Sequence, residues 1–134
     1  MIRRIAREIA LQSLFQIDFN DCDPETAVTA SIEEHKGKNV LLAKEYAINL
    51  VKGVLANLDL IDASLEQYAI DWKIMRMPAT DRNILRVAVY EMLYAPEHLS
   101  PGIAINEAVE IAKIYGTDES PRFINGILGR LIKK

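Results

Sequence analysis

The sequence predicts an all-α protein of about seven helices. Apolar residues recur every three or four positions in segment after segment, and nowhere in sustained alternation. The five prolines, at positions 24, 78, 96, 101 and 121, punctuate the chain and do not cluster. The β-branched residues fall at helix-compatible spacing, so no segment reads as a strand.

The first helix is expected over about residues 3–18, with Ile2, Ile5, Ala6, Ile9, Ala10 and Ile17 on its core side. Asp23-Pro24 reads as an N-cap followed by proline in the first turn, where the missing N–H costs nothing. Glu25 supports that start through the helix dipole, and Gly37 is expected to end the helix. Asn39 is the expected cap of a long third helix running through Leu41, Leu42, Tyr46, Leu50, Val54 and Leu55. Gly53 inside it costs up to ~1 kcal/mol unless close packing requires it. A break near Asn57–Asp59 starts the fourth helix, with Leu60, Ile61, Leu65 and Tyr68. Trp72–Met77 is ambiguous and is interrupted by Pro78. Thr80 is the expected cap of a fifth helix, apolar on so many sides that it reads as central and buried. Pro96 and Pro101 bound a loop; the sixth helix runs roughly Ala104–Tyr115 and stops at Gly116. Ser120-Pro121 is a hydroxyl cap with proline at the first helical position, opening a last helix of Phe123, Ile124, Ile127, Leu128 and Leu131.

At 134 residues the chain is the size of one domain, taken as 1–134. Its 50% apolar fraction is enough for a core without metal or disulfide. Apolar runs are short, so no membrane span is expected. The single Cys22 leaves no intramolecular disulfide and no Cys-rich metal cluster, and points to a reducing, cytoplasmic compartment. His35 and His98 are distant from each other and from Cys22, so no metal site is expected. No Gly-rich phosphate loop or other cofactor motif is present. Gly126 and Gly129 sit inside a helical pattern and are expected to let it pack closely. Glu107 with Glu110, and Asp59 with Asp62, are one turn apart and read as solvated pairs, not as catalytic acids. No enzyme activity is expected.

The charge is unevenly distributed. Residues 1–16 carry Arg3, Arg4 and Arg7 against Glu8, a balance of +2, and residues 122–134 carry four bases and no acid, a balance of +4. The total of −3 therefore leaves −9 for the middle. Such asymmetry fits a localised anion-binding face or solvated chain ends. On the first helix, Arg4, Arg7, Leu11 and Phe15 share the side opposite the core stripe, with Arg3 at its border. Arginine forks grip phosphates and stack on bases. Phe15 is then an aromatic platform, or packs with Leu11 beneath a neighbouring helix. A second set, Lys113, Tyr115, Arg122, Phe123 and Asn125, gathers where the last two helices meet. Its rings suit unpaired bases and its helix start suits a phosphate, while Phe123 equally fits an ordinary core position.

Three blocks carry a family resemblance: RRIARE…ALQSLF over Arg3–Phe15, DRNILRVAVYEML over Asp81–Leu93, and AINEAVEIAKIYGTDESPRFINGILG over Ala104–Gly129. In order and spacing they resemble the NusB family of bacterial transcription antitermination factors, over nearly the whole chain. The resemblance implies two small packed helical bundles of three-helix type. It implies binding of boxA-type single-stranded RNA in ribosomal RNA leaders, together with NusE, a small-subunit ribosomal protein, and association with transcribing RNA polymerase through other Nus factors. Arg3, Arg4 and Arg7 are the RNA contacts it implies. Phe15 stands where a tyrosine is familiar, and Phe123 matches an aromatic of the RNA-facing segment. Glu119 is an acidic position near that segment, and Asp81 matches an acid expected to face NusE. On this reading the basic ends converge if the first and last helices are neighbours, and the acidic middle meets a basic protein. The alternative is a helical interaction or homodimer module using the face around Phe15, with RNA binding secondary. An accessory domain preceding a methyltransferase is disfavoured by the chain's end at Lys134.

Overall fold

The computed structural model describes residues 2–35, 40–69 and 73–133. Seven α-helices are present: α1 Ile2–Phe19, α2 Pro24–Glu34, α3 Lys44–Ala56, α4 Leu58–Tyr68, α5 Ala79–Val89, α6 Pro101–Tyr115 and α7 Ser120–Lys133. Single 3-10 turns at Leu41–Ala43 and Ile74–Arg76 precede α3 and α5, and α5 runs on into a π turn, Tyr90–Tyr94. Among the described residues there is no strand. The all-α class follows from the apolar spacing, as expected.

Local chemistry explains several boundaries. Asp23 Oδ1 accepts the Thr26 N–H at 2.9 Å and Oδ2 accepts the Thr26 hydroxyl at 2.9 Å, with Pro24 in the first turn. These bonds hold the Asp23 carboxyl below the usual carboxylate range. Asn57 Nδ2 donates to the Gly53 carbonyl at 2.8 Å, closing α3 where the break was expected. Other expectations change. α2 ends at Glu34 with His35 extended; Gly37 and Asn39, expected to end one helix and cap the next, lie outside the described residues, as does Trp72. Leu41 and Leu42 sit in the 3-10 turn and are exposed, so they do not extend the core stripe of α3. α5 begins at Ala79 directly after Pro78, with Thr80 inside its first turn. α6 begins three residues early because Pro101 occupies its first turn and does not end the loop. Ser120 is the first residue of α7; its Oγ accepts the Thr117 N–H at 2.9 Å and so ties the preceding turn.

α1, α2 and α3 pack on one another, and α4, α5, α6 and α7 form a second bundle. The α1–α5 contact joins the two. The second bundle thus holds four helices, with α5 shared between it and α1. Every residue from Asp81 to Met92 is buried, so α5 and the start of its π turn are central, as the all-round apolar pattern predicts. The first and last helices are not principal neighbours. α1 packs on α2, α3 and α5, whereas α7 packs on α6, α4 and α5. The condition set for convergence of the basic ends, neighbouring first and last helices, is therefore not met: α5, the most buried helix, packs against both.

Gly53 faces Tyr90, whose ring lies where a side chain's first carbon would be, so close packing does require glycine there. Gly126 and Gly129 behave otherwise. A Cβ at Gly126 would meet only Arg130 Nη1 at 3.6 Å, and one at Gly129 would meet nothing within 4 Å, so neither serves close packing. Gly53→Ala should therefore destabilise by about 1–3 kcal/mol through overpacking. Gly126→Ala should stabilise by up to ~1 kcal/mol through helix propensity. Urea unfolding of both variants reads the opposite signs.

Candidate nucleic-acid interface

Three arginines of α1 meet different fates. Arg3 is exposed and lies over the Tyr46 ring, 5.1 Å from its centroid. Arg4 donates from Nε and Nη2 to the two carboxylate oxygens of Glu107, at 2.7 and 2.6 Å, leaving its side chain 22% exposed. Arg7 is buried. Its Nε and Nη2 donate to Glu91 at 2.6 and 3.0 Å, and its Nη1 donates to Glu107 Oε1 at 3.0 Å. Tyr46 completes the group by donating its hydroxyl to Glu91 Oε2 at 2.6 Å. Burial and the Glu91 carboxylate push the Tyr46 phenol up to about 12. Burial works against the Arg7 charge, and Glu91 more than restores it. The Arg4 fork holds the Glu107 carboxyl below the usual range.

Arg7 was expected on the side opposite the core stripe, and the structure buries it; Leu11 is buried as well, as the packing alternative for that side had it. α1 touches neighbours on more than the stripe that its own periodicity marks. Glu91 and Glu107, which take up Arg7, lie 84 and 100 residues away. Glu107 and Glu110 are likewise not an equivalent solvated pair: Glu107 holds two arginines, while Glu110 accepts from Lys113 at 2.9 Å. Sequence reasoning missed Glu91, Glu107 and Tyr46 as members of this cluster. Glu91 carried a usable signal, a lone acid at the end of an apolar helix, which demands a buried cation.

The other end of α1 is about 16 Å away along the helix axis, eleven residues at 1.5 Å each. There Phe15 is 40% exposed and pairs with Phe19, ring centroids 4.9 Å apart and tilted by 55°. Phe15, Gln12, Gln16, Glu34, Thr80 and Tyr115 are among the residues lining a groove of about 400 Å³. Phe15 and Tyr115, a hundred positions apart, are thus brought to one place. Burial and the nearby Glu8 carboxylate raise the Tyr115 phenol. Phe123 is half-buried against the core. Arg122 and Glu119 are exposed, and Arg122 has no ion-pair partner among the described residues. Lys113 is exposed and tied to Glu110. Asp81, expected at the surface facing a partner protein, is only 5% exposed. Burial raises its carboxyl, opposed by a hydrogen bond with Ser120. It is buried because the whole of α5 from Asp81 onward is covered by neighbours. Among the described residues no group of His, Cys, Asp and Glu is placed to hold a metal, and no helix is long and apolar enough to cross a membrane.

Arg7→Ala should cost about 3–5 kcal/mol in chemical denaturation, because it strands the buried Glu91 charge. Tyr46 gives a pH signature. Its folded value, about 12, lies above the ordinary 10. The preference for neutral phenol is complete below about 10 and is lost as pH rises towards 12. Stability should fall across that window in wild type and fall less in Tyr46→Phe, as read by unfolding at fixed pH values.

The NusB family model matches residues 4–133. The chain is 41% identical to the transcription antitermination protein NusB of Bacillus pumilus, covering 98% of this chain and 95% of that protein. It is 46% identical to the protein of that name from Pelotomaculum thermopropionicum, covering 99% and 90%. Among solved structures, T. maritima NusB superposes with a TM-score of 0.83 at 38% identity, covering 98% of this chain and 91% of that one. A NusB chain crystallised with NusE and double-stranded RNA superposes with a TM-score of 0.80 at 29% identity, covering 98% and 96%. The chain belongs to the NusB family.

Proposed function

We propose that this chain is a transcription antitermination factor that binds boxA-type single-stranded RNA together with NusE and promotes readthrough in ribosomal RNA operons. The observation that carries the reading is the near-full-length likeness to antitermination proteins and to a NusB structure holding both NusE and RNA. The RNA in that structure is double-stranded; the single-stranded target comes from the family resemblance. Residues 1–134 act as one RNA-binding unit, in the cytoplasm, and reach RNA polymerase through other Nus factors. No catalytic residue or cofactor is assigned.

The phosphate contacts are assigned to Arg3, Arg4, Lys113 and Arg122. Phe15, Tyr115 and Phe123 supply rings for bases. Arg7 acts through position: buried against Glu91, it holds α1 so that Arg3 and Arg4 reach the surface. Exposed Glu119 suits a basic partner protein, whereas buried Asp81 acts on that surface by setting the start of α5. A second reading, a homodimer through the exposed Phe15–Phe19 pair, is favoured by that patch alone.

Titration with boxA-type RNA, with and without NusE at two salt concentrations, tests the proposal. Binding should weaken with salt, with a log–log slope of about −0.7 per neutralised phosphate. Arg3→Ala with Arg122→Ala should flatten it by about 1.4. Salt-independent binding, or none with NusE present, would sink the RNA reading. A monomer–dimer shift on dilution that Phe15→Ser abolishes would favour the second reading.

A further inference from the structure

We infer that Glu107 is a built-in competitor for RNA: in the free chain its carboxylate occupies the Arg4 fork that a backbone phosphate would take. This rests on the RNA-binding reading above. A carboxylate and a phosphodiester offer a guanidinium the same thing, two oxygens spaced for two parallel N–H bonds. Both donors on one edge of Arg4 are spent on Glu107, at 2.7 and 2.6 Å. The pair stands at a cleft of about 510 Å³ that Ile2, Arg3, Leu99 and Ile103 also line. Ile2 and Ile103 are 40% and 53% exposed, so the cleft is open beside the fork.

The cluster is arranged so that Arg4 can leave without collapse. Glu107 Oε1 also accepts from Arg7 Nη1 at 3.0 Å, so it keeps one cation when Arg4 swings out. Arg7 itself stays fixed by its two bonds to buried Glu91. Arg4 and Arg7 balance Glu91 and Glu107, and releasing Arg4 leaves one uncompensated negative charge beside the incoming phosphate. A lone phosphate therefore gains little from Arg4. A ligand that also engages Arg3 and a second protein surface overcomes the competition. Glu107 thus sets how strongly RNA binding depends on additional contacts.

A double-mutant cycle with boxA-type RNA tests this. Glu107→Gln should tighten binding about three- to tenfold at low salt, since the part-buried ion pair no longer competes. In an Arg4→Ala background the same change should give a clearly smaller gain, limited to the charge that Glu107 no longer sets beside the phosphate. An equal gain there means a long-range charge effect and overturns the inference. If wild type binds RNA and Glu107→Gln is not tighter, the inference alone falls; if wild type binds no RNA even with NusE, the function falls with it. Should Glu107→Gln fold poorly, the wild-type chain decides: the Arg4 Nε–H resonance should shift when RNA is added, and an unmoved resonance refutes the exchange.

Discussion

The structure depends on burying a helix that carries charge. α5 is apolar enough to be drawn into the middle of the protein, yet it takes Arg82, Asn83 and Arg86 with it, and Glu91 follows in the π turn. Charges leave water at a cost of several kcal/mol each unless paired and hydrogen-bonded. Each therefore dictates where a neighbouring helix lies. Asp18, near the end of α1, accepts from Arg82 Nη2 at 3.0 Å and from Asn83 Nδ2 at 2.8 Å. Asp62 of α4 accepts two bonds from Arg86, both at 2.9 Å. Glu91 draws in Arg7 from α1 and Tyr46 from α3. α1 is thus pinned at both ends against the same central element, and the two bundles are locked together.

That pinning determines what α1 presents outward. With Arg7 and Asp18 turned inward, Arg3 and Arg4 emerge at one end and Phe15 beside Tyr115 at the other. A strand of nucleotides laid along the helix would find cations first and rings later. The charge balance of the chain changes meaning too. The −9 of the middle segment includes Glu91 and Glu107, whose carboxylates face arginines of α1 inside the fold and not a partner outside it. The acidic middle is in part an internal requirement, and the surface left for a basic protein is smaller than the sum suggests.

The helices, several of their ends and the central place of α5 are legible in the chain, because they follow from interactions within a few residues and from the apolar pattern of a single helix. Asp23-Pro24 opens α2 through bonds three residues long, and Gly116 follows the last residue of α6. Gly53 left open whether a close contact required it, and Tyr90 makes that contact. The use of each charged side chain, by contrast, is settled by packing between distant segments. Helical periodicity assigns a residue to a side of its own helix but not to a neighbour, so Arg4 and Arg7 looked alike. Their difference depends on Glu91 and Glu107, more than eighty residues away, and on whether those carboxylates are in water. Asp81 looked like a surface acid for the same reason: its burial is a property of the helices around α5, and no local pattern encodes it.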